Sequence, residues 1–192
     1  EHAAQLSSMG VRPVQFEGDR PIAEENLRLL LPHITHVLST IPPSMASDPV
    51  LTHHADAITA GMPALRWVGY FSSIAVYSDA DGPDAWIDED SPTRPSTPLG
   101  RVRLLSEDEW SALGRPVDIF RLAPVYGPGR GPHVAVREGT ARAISRAGHV
   151  APCAHVDDVA ASVVAAMTCT PEAGAGASEG AATASVFNIV DD

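Results

Sequence analysis

The residues best fitted for chemistry in this chain are hydroxyls that close a short, bulky run. Leu65, Trp67, Val68, Tyr70 and Phe71 are apolar on both faces, as suits a central parallel strand covered by helices on either side. The run stops at Ser72 and Ser73, so their hydroxyls emerge at the carboxyl edge of a sheet, where open α/β sheets bind ligands. A second strand, Val117 to Ala123, runs into Pro124-Val125-Tyr126-Gly127-Pro128-Gly129, a tight turn at the same rim. The histidines offer less. His53 and His54 are adjacent on a predicted helix and diverge around it, so they do not chelate one ion together. His33 and His36 flank a strand start with no carboxylate at ligand spacing, and no metal site is expected. His155 to Asp158 can touch a substrate, but helix capping and docking explain it more simply.

The elements that must position these groups alternate between strand and helix. EHAAQLSSMG reads as the tail of a helix closed by Gly10. Val11 to Phe16 is predicted as a short strand, with Glu17-Gly18-Asp19 turning out of it. Asp19 is expected to cap the next helix, Pro21 to lie near its first turn, and Pro32 to end it. Ala23, Leu27, Leu30 and Leu31 give that helix one apolar face. Thr35 to Ile41 is a second buried strand stopped by Pro42-Pro43, since prolines cannot donate to a ladder. Asp48 caps a helix that Pro49 opens and that Leu51, Ala55 and Ile58 bury. Ser78 to Pro98 is acidic and Pro-rich, a surface loop with Trp86 and Ile87 as its anchor. A helix over 99–113 turns Val102, Leu105 and Leu113 inward. Asp157 and Asp158 favour a helix N-terminus, followed by the stripe Val159, Val163, Ala166 and Met167. Cys169 to Ser185 is a run of small residues read as a flexible loop, and Val186 to Val190 is a last strand. Such alternation predicts βαβ units and a parallel sheet.

Composition removes several function classes. At 192 residues the chain can bury one substantial core, and one domain over 1–192 is expected. The formal charge of -11, from 13 Lys+Arg against 24 Asp+Glu, repels a phosphate backbone, so nucleic acid is not an expected partner. The two cysteines, Cys153 and Cys169, fit neither a disulfide framework nor a paired-cysteine metal knuckle, which points to a reducing compartment. No apolar run approaches the ~20 residues of a membrane helix, and the chain reads as soluble and intracellular.

Three blocks together resemble the extended short-chain dehydrogenase/reductases, the NAD-dependent epimerase/dehydratase group. They are Ser72-Ser73-Ile74-Ala75-Val76-Tyr77, then Phe120 to Arg130, then His155 to Ala160, in the order and spacing of that family. The resemblance implies a Rossmann-like, doubly wound parallel sheet carrying a nicotinamide dinucleotide, NAD or NADP, across its carboxyl edge. The family's first glycine-rich βα unit has no counterpart here, since no G-x-G-x-x-G occurs. The chain therefore reads as a fragment lacking that opening, or as one that does not bind dinucleotides in the usual way.

Carried over by position, Asp19 and Arg20 match the adenine side of the cofactor pocket; helix capping and a solvated charge are the plainer alternatives. Ser39, Thr40, Ile41 and Pro42 match the strand end beneath the cofactor ribose, or are simply a buried strand terminus. Ala123, Pro124 and Val125 match the turn beside the nicotinamide, with Pro124 where many sugar epimerases have Asn. In the family a Ser or Thr, a Tyr and a Lys four residues later share proton transfer while hydride moves. Ser73 matches the serine. The Tyr and Lys are replaced by Leu99 and Arg103. Arg103 keeps the charge with a different geometry, or forms a surface ion pair with Glu107. Tyr77 or Tyr126 could supply a displaced acid, or be packing residues with satisfied hydroxyls.

Two functions follow as expectations. One is an NAD(P)-dependent oxidoreductase or epimerase/dehydratase-like enzyme acting on a small molecule, such as a nucleotide sugar or carbonyl compound, and compatible with a homodimer. The other is a catalytically degenerate dinucleotide-binding scaffold or sensor.

Overall fold

A computed structural model describes residues 2–77, 86–142, 151–169 and 184–191. Its centre is a four-stranded parallel sheet in the order β1-β2-β3-β6, with β1 His36–Ser39, β2 Trp67–Ser73, β3 Asp118–Leu122 and β6 Ser185–Ile189. Val37 pairs with Val68, Phe71 with Phe120, and Phe120 with Phe187. Because β2 lies inside this sheet with helices on both faces, it can be bulky at successive positions, and Trp67, Val68 and Tyr70 are all buried. A second sheet has only β4 Val125–Tyr126 and β5 Ala154–His155, a parallel pair the sequence did not announce.

The helices are α1 His2–Ser8, α2 Glu24–Leu30, α3 Pro49–Asp56, α4 Pro98–Ser111, α5 Pro132–Arg137 and α6 Val156–Cys169. Period-2 alternation divides the sheet's side chains between two cores. Val68, Tyr70 and Ile119 pack with Ile58 and Met62, which follow α3, and with Trp110 of α4. On the opposite face, Trp67 and Phe120 pack with Val163 of α6, flanked by Ala166 and Met167. Among the described residues no helix is long and apolar enough to cross a membrane.

Most elements match expectation. Gly10 closes α1 at φ 81°, and Asp48 caps α3 by accepting from the Val50 and Leu51 amides. Asp157 and Asp158 stand in the first turn of α6. Several expectations are corrected. Val11 to Phe16 forms no strand: Pro13 has no N–H to give, and no strand among the described residues offers it a ladder. Asp19 caps nothing, because α2 starts only after Ala23, which is exposed and makes no side-chain cap. Trp86 is 99% exposed and Ile87 42%, so neither anchors its loop. The rest of that loop, 78–85, lies outside the described residues, as does 170–183 of the small-residue run. Cys169 instead ends α6, and Ser185 opens β6.

The helix α4 departs most from its reading. Leu105 is 61% exposed, while Gly100, Ser106, Glu107 and Trp110 are buried. Thr97 caps it by accepting from the Gly100 amide at 3.0 Å, with Pro98 at its first position. A Cβ on Gly100 would come within 2.2 Å of the Ala75 carbonyl oxygen, so only glycine lets α4 approach the 3-10 turn that follows β2. Gly100→Ala is therefore expected to cost about 1–3 kcal/mol in urea unfolding, by the usual penalty of overpacking. No change in the unfolding midpoint would mean that the helix end can shift freely.

Candidate functional site

The carboxyl ends of β1, β2 and β3 form one edge of the sheet, because the strands are parallel neighbours. Ser39 ends β1, and Thr40, Ile41 and Pro42 continue past it. Ser73 ends β2 opposite Leu122, and Ala123, Pro124 and Val125 leave β3 directly beyond that pair. The sheet thus brings these predicted positions to a common rim. Asp19 and Arg20 stand on the irregular segment before α2, where Arg20 pairs with Glu17.

Each rim residue has a physical setting. Ser73 Oγ accepts from the Ala75 amide at 3.2 Å, which caps the turn Ile74–Val76 and fixes the serine's rotamer at the strand end. Ser39 is 3% exposed, and its Oγ is a buried hydroxyl with no hydrogen-bond partner among the described residues. A buried hydroxyl without a partner is costly and calls for an explanation. The Ala123 turn is held from two sides: its amide donates to the Ile189 carbonyl at 3.0 Å, and the Pro124 carbonyl accepts from the Ala154 amide at 3.2 Å. Asp191 ties the same corner by accepting from the His155 amide at 3.1 Å. The Asp191 carboxylate beside Tyr126 keeps the phenol above its usual pKa. As placed, Tyr126 is a weaker acid than a free tyrosine.

Beneath the rim lies a buried polar row that sequence reasoning missed. Ser72 pairs with Arg121 in register, and Arg121 with Asn188, so three neighbouring strands each turn a polar side chain to the face covered by α4. Glu107 of α4 accepts from Ser72 Oγ at 2.5 Å and from Arg121 Nη2 at 2.7 Å and Nε at 3.1 Å. Arg121 Nη1 donates to the Tyr77 hydroxyl at 2.7 Å, and that hydroxyl donates to Asn188 Oδ1 at 2.9 Å. The guanidinium also lies 5.0 Å from the Tyr77 ring centroid. Burial works against the Arg121 charge, but the bonds to Glu107 and Tyr77 outweigh it and hold its pKa above the ordinary value. A signal was available: Ser72, Arg121 and Asn188 are polar positions in otherwise apolar strands, opposite a helix carrying Glu107.

The row changes how two candidates read. Glu107 is taken by Arg121, so the Arg103–Glu107 ion pair, one of the two readings of Arg103, does not form. Arg103 instead points under the sheet, donating to the Phe71 carbonyl at 2.6 Å, with Nη1 3.5 Å from the Tyr70 hydroxyl. Tyr77 uses its hydroxyl as both donor and acceptor within the row. Leu99 is 68% exposed on the first turn of α4, beside Gly100 and the Ser73 turn.

No protein-family model matches the chain, and no curated protein matches it in sequence. Solved structures do. A conserved protein of unknown function from Silicibacter pomeroyi DSS superposes with a TM-score of 0.78 at 34% identity, over 100% of this chain and 61% of its own. The fold is Rossmann-like. This Rossmann-like chain thus spans under two thirds of that protein's length. MoeE5, solved with UDP-glucose and NAD, aligns with a TM-score of 0.64 at 20% identity, over 98% of this chain and 71% of MoeE5. The UDP-glucuronic acid 4-epimerase of Bacillus cereus, solved with NAD, gives 0.65 at 18% identity, over 99% and 65% respectively. At those identities the likeness speaks to the Rossmann-like fold.

Proposed function

We propose that this chain is an NAD(P)-dependent oxidoreductase or epimerase/dehydratase-like protein acting on a small-molecule substrate. The observation that carries the reading is the common rim: Ser39 to Pro42, Ser73, and Ala123 to Val125 end on adjacent parallel strands, at the edge where such sheets take ligands. Ser39 Oγ, buried and unpartnered among the described residues, supports it, since a bound ligand would give that hydroxyl a partner. Solved neighbours of the same fold hold NAD.

In this reading Ile41 and Pro42 support the ribose side, and the Ala123 turn, braced by β5 and β6, borders the nicotinamide. Bound there, the dinucleotide would supply hydride chemistry. Ser73 would hold a substrate oxygen from its capped, fixed rotamer. The proton transfer that a tyrosine performs in similar proteins has no counterpart at Leu99, and Tyr77 is committed to Arg121 and Asn188. A second reading, a dinucleotide-binding protein without turnover, is favoured by that pair of facts and by the inward turn of Arg103.

Titrating the full-length protein with NADH and NADPH by fluorescence tests the first reading, and assaying turnover separates it from the second. Binding of either cofactor is expected. If neither binds to the full-length protein, both readings fail. If turnover is found, Ser73→Ala is expected to lower kcat by roughly 100-fold, the size of a lost positioning contact. Unchanged kcat removes Ser73 from the mechanism.

A further inference from the structure

Residues 12–22 carry no helix or strand, yet they are docked, and two adjacent histidines dock them. Among the described residues, every hydrogen bond leaving this segment ends on α3. His53 Nε2 bonds the Gly18 carbonyl at 3.2 Å, and the Ile22 amide donates to His54 Nε2 at 3.4 Å. The segment's remaining bonds, from Gln15 and Arg20 to Glu17, are internal. Phe16 lies against both imidazoles, its ring centroid 6.2 Å from His53 and 5.2 Å from His54. Gly18 takes φ 81° where it crosses Pro49, a conformation that suits glycine and presents its carbonyl to the helix.

The partners fix both tautomers. A carbonyl only accepts, so His53 Nε2 carries a hydrogen, and it keeps that hydrogen whether the ring is neutral or protonated. An amide N–H only donates, so His54 Nε2 must be bare. A proton on that nitrogen removes the acceptor and places a charge in a buried site.

We propose that residues 12–22 form a strap latched by neutral His54 and released when His54 takes up a proton. The ionisable groups on the packed elements are Arg12, Glu17, Asp19 and Arg20 on the strap, and His53 and Asp56 on α3. Where the strap runs on into α2 it brings Glu24, Glu25 and Arg28. Glu17 and Arg20 pair with each other, and among the described residues no carboxylate hydrogen-bonds His54. Burial first, and then the charge of His53, push the His54 pKa below its ordinary 6.5. The closed strap therefore resists protonation and opening takes up a proton. The latch is at full strength above the ordinary histidine pKa, weakens as pH falls through it, and levels off below the depressed pKa of the closed state. The device stands whether or not the rim binds a dinucleotide.

Hydrogen exchange on the full chain between about pH 7.5 and about pH 5, corrected for intrinsic rates, tests it, since this range brackets histidine titration. The Ile22 amide is expected to lose protection at a rate approaching about tenfold per pH unit below the ordinary histidine pKa, while the Tyr70 and Ile119 amides stay protected. The midpoint should coincide with the NMR titration of the His54 ring. His54→Gln, which offers an acceptor that does not titrate, should make Ile22 protection independent of pH. Constant Ile22 protection in the unaltered chain, a midpoint away from the His54 titration, or loss of the core amides at the same pH would each overturn the proposal. So would an unaltered pH response in His54→Gln.

Discussion

Glu107→Ala is expected to lower the free energy of unfolding by about 3–5 kcal/mol, the range for removing one partner of a buried ion pair. Glu107 is 3% exposed and accepts from Arg121 and Ser72, so its loss strands both. Arg121 cannot escape by deprotonating, and it is only 6% exposed. Ser72 loses its acceptor as well, an additional desolvation cost of about 1–3 kcal/mol where no other partner is found. Against a typical total stability of about 5–15 kcal/mol, such a loss is enough to bring a domain close to unfolding. The double variant Glu107→Leu with Arg121→Met should recover most of the loss, because replacing both charges with apolar groups is often neutral. Urea unfolding of the single variants and the double closes the cycle. A single-variant loss below about 1 kcal/mol would place the pair in the class of solvated surface pairs and contradict its burial.

What the sequence made legible was whatever rests on a local physical rule. A strand bulky at successive positions can only be central, which identified β2. Asp48-Pro49 could be read as a cap and first residue because both preferences are local to a helix end. The same signature stood in Thr97-Pro98, which fixes the true start of α4. What escaped was set by contacts far apart in the chain. The apolar pattern of α4 turns Val102, Leu105 and Leu113 inward; Leu113 packs against the core, but Leu105 is exposed and Ser106 and Glu107 are buried, because β2 and β3 present polar groups to them. Val11 to Phe16 has strand-forming residues yet no neighbour among the described residues to pair with, and period alone does not reveal a missing neighbour. At the candidate site, Ser39, Ser73 and the Ala123 turn reach one rim as strand order requires. The inward turn of Arg103 depends on Glu107 being occupied by Arg121, a partner 14 residues away on another element.

Trp110→Ala should cost about 3–5 kcal/mol, the range for truncating a large aromatic in a packed core. Trp110 is completely buried, stacks on Tyr70 at 5.4 Å with an interplanar angle of 17°, and donates from Nε1 to Asp48 Oδ2 at 3.0 Å. Its effects are separable. Trp110→Phe retains most of the stack but leaves one oxygen of a buried carboxylate without its donor, worth about 1–3 kcal/mol. Asp48→Ala removes the cap of α3, worth about 0.5–2 kcal/mol, and leaves the indole N–H unpaired inside the core. Because Asp48 holds α3 with one oxygen and α4 with the other, the two variants should be non-additive. A double-mutant cycle by urea unfolding should give a coupling of about 0.5–3 kcal/mol, as for residues in direct contact. Simple additivity would mean that the Trp110–Asp48 bond contributes little, and that α3 and α4 are held to the sheet independently of each other.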